Sequence, residues 1–92
     1  MEFIKGDHRF YQENEEGKII AEITYKTIDE NTVDASGTFV DESLRGQGIA
    51  EQLVDRLVKE MKEEGKKIKP TCPYVVALFE RKPDKYQEIM KK

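Results

Sequence analysis

The sequence predicts an α+β fold: an antiparallel three-stranded meander, a central helix, a short parallel strand and C-terminal helices. Three observations carry this reading. Apolar residues alternate at period two between positions 18 and 26, a helical apolar stripe runs from Ile49 to Met61, and glycines punctuate the switch between the two. At 92 residues the chain has room for one domain, expected to span residues 1–92.

The elements follow in order. His8-Arg9-Phe10-Tyr11-Gln12-Glu13 reads as a short aromatic strand, and Asn14-Glu15-Glu16-Gly17 as a turn. In Lys18–Lys26 the residues Ile19, Ala21, Ile23 and Tyr25 share one face. Asp29-Glu30-Asn31 turns the chain into a third strand, Thr32 to Val40, with Val33, Ala35, Phe39 and Val40 in weaker alternation. Ile49, Leu53, Val54, Leu57, Val58 and Met61 then make one helical stripe. The opposite face offers the i,i+4 pairs Asp55–Lys59, Arg56–Glu60 and Lys59–Glu63. Lys62 suits the last turn and Gly65 the residue that ends the helix. Lys66-Lys67-Ile68-Lys69, closed by Pro70, is a strand expected to lie parallel to the third through a right-handed crossover. Thr71-Cys72-Pro73 opens a second helix with Pro73 in its first position and Tyr74, Val75, Leu78 and Phe79 as its stripe. Lys82-Pro83-Asp84 breaks it, and Tyr86, Ile89 and Met90 close a final turn against the core.

Composition narrows the function. The chain is 37% hydrophobic and 38% charged, without tryptophan. A domain this small buries only about 60–65% of the surface its unfolded chain exposes, so a ligand belongs in a cleft rather than a deep enclosed pocket. A net charge of −3 argues against a nucleic-acid partner. No stretch approaches the roughly 18 apolar residues of a membrane span, and the N-terminus does not read as a signal peptide. One cysteine rules out an internal disulfide framework and fits a reducing, cytoplasmic setting. No metal site and a monomeric state are expected.

Arg45-Gly46-Gln47-Gly48-Ile49-Ala50 is the segment that carries chemistry. Two glycines one residue apart strip side-chain bulk from a stretch of backbone, so successive N–H groups can approach an anion. The helix that starts here presents its unpaired amides and the positive end of its dipole. Arg45 adds a guanidinium, and Ala50 keeps the first turn open. These are the parts of a diphosphate cradle. A Walker loop needs Gly-Lys-Ser/Thr where this chain has Gly48-Ile49-Ala50. A dinucleotide fingerprint needs a third small residue where Glu51 stands. Glycine spacing alone also fits a strand-to-helix turn that holds no ligand.

The same segment matches the Arg/Gln-x-x-Gly-x-Gly/Ala signature and resembles the GNAT acyltransferase superfamily. Val40 to Ala50, the Pro70-x-Cys72-Pro73 segment and Tyr86 are similar to its small YjdJ-type members, a trimmed version of the fold lacking the first helices. The resemblance implies a truncated GNAT-like fold and acetyl-CoA as cosubstrate. It places the backbone of Gln47, Gly48, Ile49 and Ala50 on the pyrophosphate. It sets Phe39 and Val40 along the pantetheine arm, where the third strand splays from the next parallel strand. It further implies an N-acetyltransferase acting on an amine or protein acceptor, or an acetyl-CoA-binding module without turnover.

Cys72 is the most reactive-looking side chain. At the N-cap of the second helix its thiolate is favoured by the dipole and free amides, with Lys67 and Lys69 near in sequence. It reads as a nucleophile or acyl acceptor, or as a buried small hydrophobe that caps a helix. The resemblance favours the first, since such chains usually carry cysteine here. Relatives of that type read His-Thr-x-Val before the loop, whereas this chain has Gly37-Thr38-Phe39-Val40 and thus no histidine to pair with the thiol. The single histidine, His8, reads as an exposed loop residue. Asp41, Glu42 and Ser43 could supply a base but read as a solvated turn cap. Tyr74 and Tyr86 could protonate a leaving thiolate but read as core.

Overall fold

A computed structural model describes residues 2–91. The chain forms β1 (Ile4–Gly6), β2 (Arg9–Glu13), β3 (Ile19–Asp29), β4 (Thr32–Val40), a 3-10 turn (Glu42–Leu44), α1 (Ile49–Glu64), β5 (Lys67–Ile68), α2 (Pro73–Arg81) and α3 (Pro83–Tyr86). The five strands make one sheet in chain order, antiparallel from β1 to β4, with β5 parallel to β4.

The long strand β3 forms where the sequence alternates, and α1 and α2 where it repeats every three to four residues. Phe10, Ala21, Ile23, Val33 and Ala35 point from the sheet into the core. Leu53, Val54, Leu57, Val58 and Met61 of α1 meet them there, with Val75, Leu78 and Phe79 of α2 completing the layer. Gly65 ends α1 in a left-handed conformation (φ 71°). Its amide reaches the carbonyls of Lys62 and Met61, and Lys66 N donates to Met61 O at 2.8 Å. Tyr86 and Ile89 are buried, and Met90 forms a parallel bridge to Ile68.

The meander has one strand more than expected. Ile4–Gly6 pairs with Arg9–Tyr11 and is tied to α1 through Lys5 Nζ, 2.6 Å from Glu60 Oε2. Of the three charge pairs expected on α1, Arg56–Glu60 closes at 3.2 Å. Asp55 turns instead to Lys85 and the Tyr86 hydroxyl.

Two irregularities in β4 prepare the site. Thr24 lies opposite Gly37 but Tyr25 opposite Ala35, so Ser36 is an extra residue, a bulge. Before it, the carbonyls of Val33 and Ala35 face the β5 side, accepting from Lys69 N at 2.9 Å and from Thr71 N and Cys72 N at 3.2 and 3.0 Å. After it, Asp41 N donates to Ile20 O at 2.8 Å. The outward set therefore becomes Thr38 and Val40. Both Thr71 and Cys72 end on the carbonyl of Ala35, so the pairing stops there and the chain departs into α2. Past Ala35, β4 and the start of α2 diverge.

Candidate functional site

The divergence leaves a wedge with three walls: the end of β4, the start of α2 and the glycine loop. A cleft of about 230 Å³ is lined by Val40, Leu44 and Arg45, by Gly46, Gly48, Ile49 and Ala50, and by Tyr74. Six sequence-predicted residues thus share one surface. Leu44 and Tyr74 join them, brought there by the 3-10 turn and by the first turn of α2.

The loop has the backbone the chemistry needs. Gly46 and Gly48 adopt φ of 83° and 74°, and a Cβ at either would meet no atom within 4 Å, so open space lies over both. The first intrahelical bond of α1 is Gln52 N to Gly48 O at 3.1 Å. Among the described residues the amides from Gly46 to Glu51 meet no backbone acceptor. Arg45 Nε lies 3.4 Å from the Val40 carbonyl, linking loop to strand edge, and its side chain is exposed. Gln47 is exposed, with its side-chain amide 3.4 Å from Ser43 O, and is not among the residues that line the cleft. Phe39 lies outside the cleft. It stands opposite Glu22, on the sheet face away from the helices, and is 46% exposed.

Cys72 closes the wedge at its inner end. It is the N-cap of α2, with Pro73 following, and is 7% exposed. Its Sγ is 3.5 Å from Thr38 Oγ1. Burial pushes the thiol pKa up, but the Thr38 hydroxyl and the amides of Val75, Tyr74 and Thr38 outweigh it, and the net shift is downward. No side-chain cap bond of regular geometry closes at this N-cap, so the α2 amides act as oriented dipoles. The lysines take no part, since Lys67 donates to the Glu88 carbonyl and Lys69 is exposed.

Other candidates are placed elsewhere. His8 sits in the β1–β2 turn beyond β3, bonded to Asp7 at 2.7 Å and Thr27 at 3.3 Å and tilted against Tyr25. Asp41 caps the 3-10 turn, with Oδ2 2.6 Å from the Ser43 hydroxyl. Those bonds hold its carboxyl below the ordinary range. Tyr86 is buried, donates to Asp55 Oδ1 at 2.7 Å and has its pKa raised by burial and by that carboxylate. Tyr74 remains at the cleft, half-buried.

A larger depression of about 530 Å³ lies between the N-terminal segment and the outer face of α1, around Phe3, Asp55, Arg56 and Lys59. Four of its six lining residues, Glu2, Asp55, Arg56 and Lys59, are charged. Among the described residues no group of three His, Cys, Asp or Glu side chains could hold a metal, and no helix is long and apolar enough to cross a membrane.

Residues 9–89 match a family model described as GCN5-related N-acetyl-transferase. The chain belongs to the GCN5-related N-acetyltransferase family. A GCN5-like protein of Staphylococcus aureus aligns over 98% of this chain and 87% of its own, with 31% identity and a TM-score of 0.82. An acetyltransferase of Bacillus cereus is 33% identical over 65% of this chain and 43% of its own, with a TM-score of 0.57. The GNAT family N-acetyltransferase YhbS of Escherichia coli, whose structure contains CoA, is 26% identical. That match covers 67% of this chain and 38% of the other, with a TM-score of 0.58. The chain thus spans less than half of the latter two. No curated protein matches it.

Proposed function

We propose that residues 1–92 act as one acetyl-CoA-binding domain that transfers an acetyl group to an amine, free or carried on a protein. The observation that carries this reading is the cleft joining the unpaired loop amides to the splayed end of β4. Its two ends suit an anion and a thioester respectively. We further place the chain in the YjdJ-type branch of its family, a reading supported by the near full-length likeness to the Staphylococcus aureus protein. The lone thiol fits a cytoplasmic setting, and the reading takes the chain as a monomer.

In this reading the amides of Gln47 to Ala50 hold the pyrophosphate, aided by the α1 dipole and the Arg45 guanidinium. Val40 lines the pantetheine arm, with Phe39 flanking it from the other sheet face. The bulge at Ser36 turns the Thr38 and Val40 amides toward the acetyl carbonyl, where they stabilise the developing oxyanion. The acceptor enters as a neutral amine; its nitrogen bonds to the carbonyl carbon, the C–S bond breaks, and the amine's proton balances the thiolate of CoA. No general base is assigned, because His8 and Asp41 are committed elsewhere.

A second reading is favoured by the hydrogen bonds at Cys72: its sulfur displaces the CoA thiolate, giving S-acetyl-Cys72 and free CoA. Titration with acetyl-CoA is expected to move the Gly46 and Gly48 amide resonances saturably; no movement at millimolar ligand overturns both readings. Release of CoA with some amine in a panel supports transfer, and release with none removes it. An added acetyl mass on the intact chain, lost in Cys72→Ser, supports the thiol route, and its absence removes that route.

A further inference from the structure

Glu51 occupies the third position of α1, inside the turn that the reading above gives to the pyrophosphate. A glutamate at this position commonly folds back onto the N-cap amide, and its charge suits the helix end. Such a carboxylate would compete with an anionic ligand for the same amides and repel it.

Here the carboxylate is drawn away. Lys82 Nζ lies 3.0 and 2.9 Å from its two oxygens, and Lys85 Nζ lies 2.7 Å from Oε2. Lys85 also contacts Asp55 Oδ2 at 3.0 Å, and Asp55 accepts the Tyr86 hydroxyl. Tyr86 is buried against Phe79, with ring centroids 4.9 Å apart. Lys85 is therefore fixed to the core through Asp55 and Tyr86, and both oxygens of Glu51 are engaged by lysine ammonium groups rather than by the loop amides.

We infer that Lys82 and Lys85 are positioning residues for the glycine loop: they hold the Glu51 carboxylate off the Gly48–Ala50 amides and cancel its charge. That end of α1 is then left open to the diphosphate of the ligand. The inference rests on the reading of the loop as a CoA site. The lysines act through Glu51 and need not touch the ligand.

The test is coenzyme A titration of the full chain, followed by amide resonances and calorimetry. Lys82→Met with Lys85→Met is expected to weaken binding by roughly fivefold, the size of a unit charge freed near a polyanion in a solvent-exposed setting. Adding Glu51→Gln to that pair is expected to restore affinity to within about twofold, and the loss should shrink as salt rises. The single variants Lys82→Gln and Lys85→Gln, each keeping one lysine, should lose about twofold. In the free protein, the double variant should shift the Gly48 and Ile49 amides, and Glu51→Gln should reverse the shift. Unchanged affinity in the lysine variants, or a folded triple variant that stays weak, overturns the inference while leaving the loop reading intact. No CoA binding by the wild-type chain overturns both.

Discussion

At Cys72 the opposing effects on one thiol are separable. Burial disfavours the thiolate, while the Thr38 hydroxyl 3.5 Å away, with the α2 and Thr38 amides, favours it and prevails. Thr38→Val keeps the shape and removes the hydroxyl, so the sign is fixed: the thiol pKa rises and less thiolate is present just above neutral pH. Iodoacetamide labelling of the folded chain should slow by a factor of roughly three, as expected for a hydrogen bond of about 0.5–1 kcal/mol to a soft acceptor. Labelling of the urea-unfolded variant should match wild type, and equal rates in the folded state would remove the role given to Thr38. Cys72 itself was legible in the sequence, because Pro73 marks the first position of a helix and the residue before it is the cap. Its hydroxyl partner was not. That contact depends on the bulge at Ser36, for which the only local signal was a glycine, Gly37, inside a strand pattern.

Among the elements, α1 shows which parts of a helix are written locally. Its apolar stripe, its start after Gly48 and its end at Gly65 follow from spacing and from the left-handed conformations glycine allows. Its ion pairs are only partly local. Glu60 takes Arg56 four positions away, as spacing suggests. Glu51 and Asp55 instead find lysines about thirty positions away, on and beside α3, and nothing within one helix encodes that choice. The network makes stability depend on pH. Hydrogen bonds from Lys85 and Lys82 pull the Glu51 carboxyl down to about 2 from its ordinary 4.5. A depressed carboxyl stabilises the fold in full above 4.5 and loses that contribution as pH falls toward 2. Since the two lysines are partly exposed, solvent screening limits the contribution to about 1 kcal/mol. Thermal unfolding of wild type against Glu51→Gln should therefore differ most near neutral pH and converge in strong acid. A gap independent of pH would mean that shape, not charge, ties α1 to α3.

Across the whole molecule, the stability of the fold and the integrity of the site depend on opposite ends of the sheet. The strand the sequence did not reveal, β1, has three residues, one of them apolar, and no periodicity to detect. It is defined by what it meets: β2 on one edge, and Glu60 on α1 through Lys5. Glu60 is buried, takes Lys5 at 2.6 Å and Arg56 at 3.2 Å, and Arg56 in turn lies over the Phe10 ring at 4.5 Å. Lys5 first, then Arg56, hold its carboxyl below the ordinary range against the penalty of burial. Glu60→Gln keeps the volume and removes the charge that both cations face. The expected loss is about 1–2 kcal/mol, since hydrogen bonds to charged groups are the stronger class. Hydrogen exchange at Lys5 and Gly6 should rise further than at Val33 or Ile68, because the β1 edge loses its tie to the helix layer. The glycine loop lies two helical turns or more along α1 from Glu60, beyond its contacts, so the coenzyme A affinity of the folded variant should stay within about twofold of wild type. A matching loss of affinity would show that the β1 edge and the loop are coupled through α1, and that the helix transmits strain rather than isolating it.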